Sequence, residues 1–102
     1  MKVYLDDERS MPEGFDIHVK TAQEAIKLID TGKVTKISLD HDLGENCLTG
    51  YSVACHIEQL AYNKSIPQIE LLVHSQNPVG ICSIKAAFKN CEKFWQSESK
   101  KQ

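Results

Sequence analysis

Three short apolar runs in this chain each stop abruptly at polar side chains. Lys2–Leu5 runs into Asp6-Asp7-Glu8-Arg9, Lys36–Leu39 into Asp40-His41-Asp42, and Ile69–Val73 into His74-Ser75-Gln76-Asn77. Runs this short, bounded by polar and turn-forming residues, have the length of buried strands and not of helices. A fourth strand is expected at Phe15–Val19, where apolar and polar residues alternate with period two, as on a half-covered edge strand. His18 falls on its polar face, and Met11-Pro12-Glu13-Gly14 supplies the turn before it.

Helical spacing fills the gaps between the later strands. Thr21-Ala22-Gln23-Glu24 has the form of a capping box, in which the Thr hydroxyl and the Glu carboxylate satisfy backbone N–H groups of the first turn. Ala22, Ala25, Ile26 and Ile29 then share a face, and Gly32 suits the left-handed closing position, so the helix runs to about Thr31. A second helix begins at Thr49 or Gly50, with Val53, Ala54, Ile57, Leu60 and Ala61 on one stripe and His56 beside it. Asn77 as N-cap and Pro78 at the first helical position open a third, which carries Ile81, Ile84, Phe88, Cys91 and Trp95. Strands alternating with helices imply a parallel sheet joined by right-handed crossovers. The expectation is one domain over residues 1–95 and a polar tail over 96–102.

Charge and composition narrow the function classes. A formal charge of −2 over 102 residues supplies no basic field for a nucleic-acid backbone, so duplex binding is not expected. No apolar stretch approaches the roughly 18 residues that a bilayer span requires, so the expectation is a cytoplasmic protein with no membrane partner. Cys47, Cys55, Cys82 and Cys91 form no CxxC pair, and are read as reduced core thiols, not as disulfides or zinc ligands.

Open parallel sheets bind ligands beyond the carboxyl ends of their strands, near the point where strand order reverses. In a doubly wound order 2-1-3-4, with helices on both faces, strands one and three are neighbours about 4.8 Å apart. Asp6, Asp7 and Asp40 then converge, and their repulsion requires either a bound cation or a raised pKa on one acid. Mg²⁺ or Mn²⁺ is the expected cofactor, because carboxylate oxygens are the donors such ions prefer. Capping of the following turn is the competing role for any one aspartate taken singly. His41 and His74, at adjacent strand ends, are expected close together, where imidazoles with an ordinary pKa of about 6.5 could share the giving and taking of a proton. Asp40 or Asp42 would hold one ring in its working tautomer. Ser75, Asn77 and the first N–H groups of the third helix make a donor-rich place for phosphate, with Gly80 permitting close backbone approach and Arg9 adding a bidentate clamp. His18 and His56 are read as structural or solvated.

The segments LDDER (Leu5–Arg9), SLDHDLG (Ser38–Gly44), TGY (Thr49–Tyr51) and HSQNPVG (His74–Gly80) resemble the cyclic-phosphate processing receiver domain, a branch of the receiver superfamily. The resemblance spans nearly the whole chain before the tail. It implies a flavodoxin-type, receiver-like α/β fold with an acidic metal pocket, and histidines that process cyclic phosphate ends or cyclic nucleotides. Response-regulator receivers carry an acidic pair at the end of strand one and a phosphate-accepting aspartate at the end of strand three, where Asp6-Asp7 and Asp40 stand. The fifth strand and its lysine have no counterpart, which turns the expectation from phospho-relay toward hydrolysis. The expected activity is therefore metal-assisted hydrolysis of a cyclic phosphate, either on a small nucleotide or at a 2′,3′-cyclic RNA end. Asp6, Asp7 and Asp40 would hold the cation, His41, His74 and Asp40 would carry the chemistry, and Arg9, Ser75, Asn77 and Gly80 would bind the phosphate. A module that senses or sequesters a nucleotide without cleaving it is the alternative, followed by a phospho-accepting receiver.

Overall fold

The capping signals of the sequence are realised where they were read. In a computed structural model describing residues 1–43 and 48–97, the elements are β1 Lys2–Leu5, β2 Ile17–Val19, α1 Ala22–Asp30, β3 Lys36–Leu39, α2 Gly50–Tyr62, β4 Glu70–Val73 and α3 Pro78–Gln96. Thr21 and Glu24 close the expected capping box on α1, Thr49 caps α2 and Asn77 caps α3. Gly32 takes the positive φ of 76° that ends α1. The turn read at Gly44, the thiol of Cys47 and residues 98–102 of the tail lie outside the described residues. Among the described residues no helix is long and apolar enough to cross a membrane.

The four strands form one open parallel sheet in the order β2-β1-β3-β4. This is the order expected, and it is consistent with a flavodoxin-like receiver fold. The helices, expected on both faces, pack on one. Register places Tyr4 beside both His18 and Ser38, and Ser38 beside Leu72, so these side chains share a face. None of them joins the core cluster, which combines Val3, Leu5, Val19, Ile37 and Leu39 of the other face with buried residues of all three helices. Direction explains the difference. The chain steps from β2 to β3 and from β3 to β4 the same way across the sheet, so right-handed crossovers put α1 and α2 on the same side. The step taken the opposite way, β1 to β2, would carry a helix to the second face, but residues 6–16 make it as a loop.

That loop is the substitute cover. Tyr4 is only 5% exposed because Phe15 (ring centroids 5.3 Å), His18 (5.5 Å) and His74 (4.4 Å) surround its ring. His18 also places Nε2 2.8 Å from the Asp6 carbonyl oxygen, and His56 bridges α2 to α1 at 2.7 Å from Asp30, so both have the structural roles expected of them. Cys55, Cys82 and Cys91 are free. Cys91 is a core thiol whose pKa burial pushes up to about 12, whereas Cys82 lies exposed on α3, which corrects its reading as a core residue.

The first turn of α2 sits directly on the end of β3. Gly50 N–H donates to the His41 carbonyl at 3.1 Å, and a Cβ at Gly50 would collide with the carbonyl group of Asp40. The obstacle is main chain on both sides, so little can relax. Gly50→Ala is expected to cost about 2 kcal/mol, or roughly 8–16 °C in melting temperature for a domain of this size. Thermal unfolding followed by circular dichroism measures this, and a loss below 3 °C (~0.5 kcal/mol) would contradict the packing described.

Candidate functional site

Strand periodicity builds the site. Each of three strands continues its hydrogen-bonded ladder one residue past its end: Asp6 N–H donates to Val19 O at 3.1 Å, Asp40 N–H to Leu5 O at 3.1 Å, and His74 N–H to Leu39 O at 2.9 Å. Counting by two from Tyr4, Ser38 and Leu72 puts Asp6, Asp40 and His74 on the same, helix-free side of three adjacent strands. One ligand atom from each lies within 4.8 Å of the others.

Asp6 is 1% exposed and fully engaged. Its Oδ1 accepts the Glu8 and Arg9 amides at 2.7 and 2.8 Å, while Oδ2 lies 3.0 Å from His74 Nε2 and 3.9 Å from Arg9 Nε. Turn capping and charge pairing, weighed as rival roles, thus belong to different oxygens of one carboxylate. Burial alone would raise the Asp6 pKa, but the two amides and His74 outweigh it and hold the group below the ordinary carboxylate value. Asp40 goes the other way. Burial and the neighbouring Asp6 charge push its pKa up, against weaker opposition from the Asp42 amide, His74 and Ser75. Two carboxyls side by side with opposite shifts are a site whose repulsion has not been relieved by protein groups.

His74 is held on three sides. Its ring stacks on Tyr4 at 4.4 Å with 7° between planes, Nδ1 lies 2.6 Å from Ser38 Oγ, and Nε2 faces Asp6. In front of this trio opens a cleft of about 290 Å³ lined by Asp6, Asp7, Glu8, Arg9, Asp40, Asp42 and Gln76. Three-atom proximity, two carboxylates and one imidazole are a donor set that suits a divalent cation.

The family model for the cyclic-phosphate processing receiver domain matches residues 1–90 of the chain. The chain belongs to that family. Comparison with curated proteins and with solved structures returned no match. The role in cyclic-phosphate processing that the family's name carries therefore attaches to a receiver domain whose helix-free face ends in an acidic cleft.

The receiver domain gathers some of the residues singled out from sequence and disperses others. Asp6 and Asp40 meet as expected; Asp7 lines the cleft but stands outside the close-set trio. Arg9 lines the cleft with its side chain 43% exposed. Ser75 lies close enough to Asp40 to oppose the rise in its pKa, and accepts the Asn77 amide at 3.2 Å. Asn77 is occupied by its cap, with Oδ1 accepting Gly80 N–H at 3.0 Å. Gly80 does not open the backbone to a phosphate, since the space above it is filled by the His41 ring, which is why no Cβ fits. His41 is the main correction to the expected pairing. Its Nδ1 lies 3.0 Å from Asp42 and its ring rests on Gly80, whereas the contacts of His74 are Ser38, Asp6 and Tyr4. One residue beyond Asp40, His41 has the opposite parity and faces the helices. The sequence reading passed over Glu8, Gln76 and Ser38. Ser38 carried a usable signal, lying two residues before Asp40 on the same face.

Proposed function

We propose that this receiver domain is a metal-assisted hydrolase of a cyclic phosphate, carried by a nucleotide or by an RNA end. The observation behind this reading is the charge of the cleft: Asp6, Asp7, Glu8, Asp40 and Asp42 face it with Arg9 as the single cationic lining residue among the described residues. A phosphate would be repelled from such a wall at short range. The same wall accepts a divalent cation, with Asp6, Asp40 and His74 as its holders and Asp7 at the rim; Mg²⁺ or Mn²⁺ suits the oxygens, and the imidazole favours Mn²⁺. Such an ion supplies Lewis-acid polarisation of the phosphoryl oxygens.

The chain's own groups divide the remaining work. Arg9 and Gln76, at the cleft, orient the phosphate, and Arg9 offers paired donors to two of its oxygens. His41 is turned toward the helices and does not line the cleft; its Nδ1 contact at 3.0 Å steadies the Asp42 carboxylate, which does. His74 is kept for the cation, a narrower role than the acid–base partnership with His41 read from sequence.

A panel of 2′,3′-cyclic phosphates and cyclic dinucleotides, assayed with and without Mg²⁺ and Mn²⁺, tests this. Turnover should require the dication. Arg9→Ala should lower it about 10²- to 10³-fold with metal affinity intact, while His74→Ala should lose metal affinity and turnover together. Recovery of intact ligand after stoichiometric binding, with no product from any substrate, would replace hydrolysis by the sequestering reading. That reading draws on one observation: both ring nitrogens of His74 are already engaged by protein groups.

A further inference from the structure

We infer that Ser38 is a positioning residue that lets His74 change tautomer and so present Nε2 to a cation. The inference rests on the metal reading above and concerns a residue of the SLDHDLG segment to which that reading gives no task. Ser38 is 5% exposed in the middle of β3, and its Oγ lies 2.6 Å from His74 Nδ1. The Tyr4 stack pins the plane of the ring, and the Ser38 contact pins its rotation within that plane. Nε2 is therefore the nitrogen kept beside the Asp6 carboxylate.

Two states make opposite demands on Nδ1. With no cation bound, the Asp6 carboxylate accepts Nε2–H, so the neutral ring has a lone pair on Nδ1 and needs a donor there. With Nε2 turned over to a cation, the ring proton sits on Nδ1 and needs an acceptor. The proton has moved from one ring nitrogen to the other through solvent, and the charge of the ring is unchanged. A serine hydroxyl meets both demands by rotating, because it is donor and acceptor at once. A backbone carbonyl would favour only Nδ1–H, and an amide N–H only the bare nitrogen. The hydroxyl thus holds the ring in place without committing it to either state.

Long-range ¹H–¹⁵N spectra of the ¹⁵N-labelled 102-residue chain identify which nitrogen of His74 carries the proton, and Zn²⁺ serves as a diamagnetic probe ion. The expected result is Nε2–H in the metal-free protein and Nδ1–H on Zn²⁺ saturation. By calorimetry, Ser38→Ala should weaken Zn²⁺ binding about 10- to 100-fold, and Ser38→Thr, which keeps the hydroxyl, should restore most of it. Wild-type affinity in Ser38→Ala would overturn the role of Ser38 while leaving the metal reading in place, and retention of Nε2–H in the Zn²⁺-bound protein would overturn that role and remove His74 from the holders of the ion. Absence of Zn²⁺ and Mn²⁺ binding by the wild type would overturn both. If Ser38→Ala fails to fold, Ser38→Val is compared with the isosteric Ser38→Thr, and equal Zn²⁺ affinity in the two would overturn the role of the hydroxyl.

Discussion

Asp6→Ala is expected to be among the most damaging single substitutions in the receiver domain, removing about 3 kcal/mol of stability or more. The carboxylate is almost fully buried, and its loss strands the Glu8 and Arg9 amides together with His74 Nε2. Each stranded buried donor costs on the order of 1–3 kcal/mol, against a total of about 5–15 kcal/mol for an ordinary domain. Urea unfolding measures the loss, and a change below about 1 kcal/mol would show that the turn does not depend on this oxygen pair. Asp6→Asn keeps an acceptor for the amides and should lose less. The pH dependence has a definite sign. Because the folded pKa of Asp6 is depressed, its contribution is present above the ordinary carboxylate pKa and is lost as pH falls through the depressed value. Asp6→Ala should therefore remove part of the acid limb of the stability curve.

Asp40→Asn is expected to stabilise the metal-free protein at neutral pH and to abolish its response to metal. The folded pKa of Asp40 is raised by burial and by Asp6, so the relative stability it permits is complete below the ordinary carboxylate pKa. It is lost as pH rises through the raised value. An amide at this position cannot ionise, and the penalty disappears. In the wild type a bound dication removes the same penalty, adding about 2.7 kcal/mol at a metal concentration one hundred times Kd. Melting curves with and without Mn²⁺ should show that shift in the wild type and none in Asp40→Asn. Turnover of any cyclic phosphate substrate should fall about 10²- to 10³-fold, the scale of removing one electrostatic contact to a reacting group. A metal-induced shift that survives Asp40→Asn would place the ion elsewhere. The two aspartates thus act in opposite directions: Asp6 contributes stability that is lost toward acid pH, Asp40 contributes stability that is lost as pH rises, and a bound metal removes the Asp40 part.

Much of the fold was legible because its signals are local. A Thr hydroxyl three residues before a Glu, an Asn before a Pro, and an apolar run ending at an acid each act through backbone groups only a few residues away. The sheet order was taken from the flavodoxin-type doubly wound pattern, and it held. The placement of helices on both faces did not hold, because it took the doubly wound pattern whole. Residues 6–14 were read correctly as loop and turn, while Phe15 and Asp16, expected in the strand, belong to that loop; its consequence, that no helix crosses to the second face, was not drawn. The pairing of His41 with His74 failed for a related reason: the adjacency of two strand ends was weighed above strand parity, which puts His41 on the opposite side of the sheet from Asp40.

The sequence by itself determined which residues stand at the strand ends and which side of the sheet each one takes, since side-chain direction in a strand alternates with position whatever the surroundings. The tertiary structure alone decided what each group does there. Whether a histidine rests on Gly80 or is clamped between Ser38, Tyr4 and Asp6, and which of two neighbouring carboxyls is held ionised, depends on atoms from β1, β3 and β4 meeting at hydrogen-bond distance. Apart from the Glu8 and Arg9 amides beside Asp6, those groups lie more than thirty positions apart in the chain, and no local pattern encodes the distance between them.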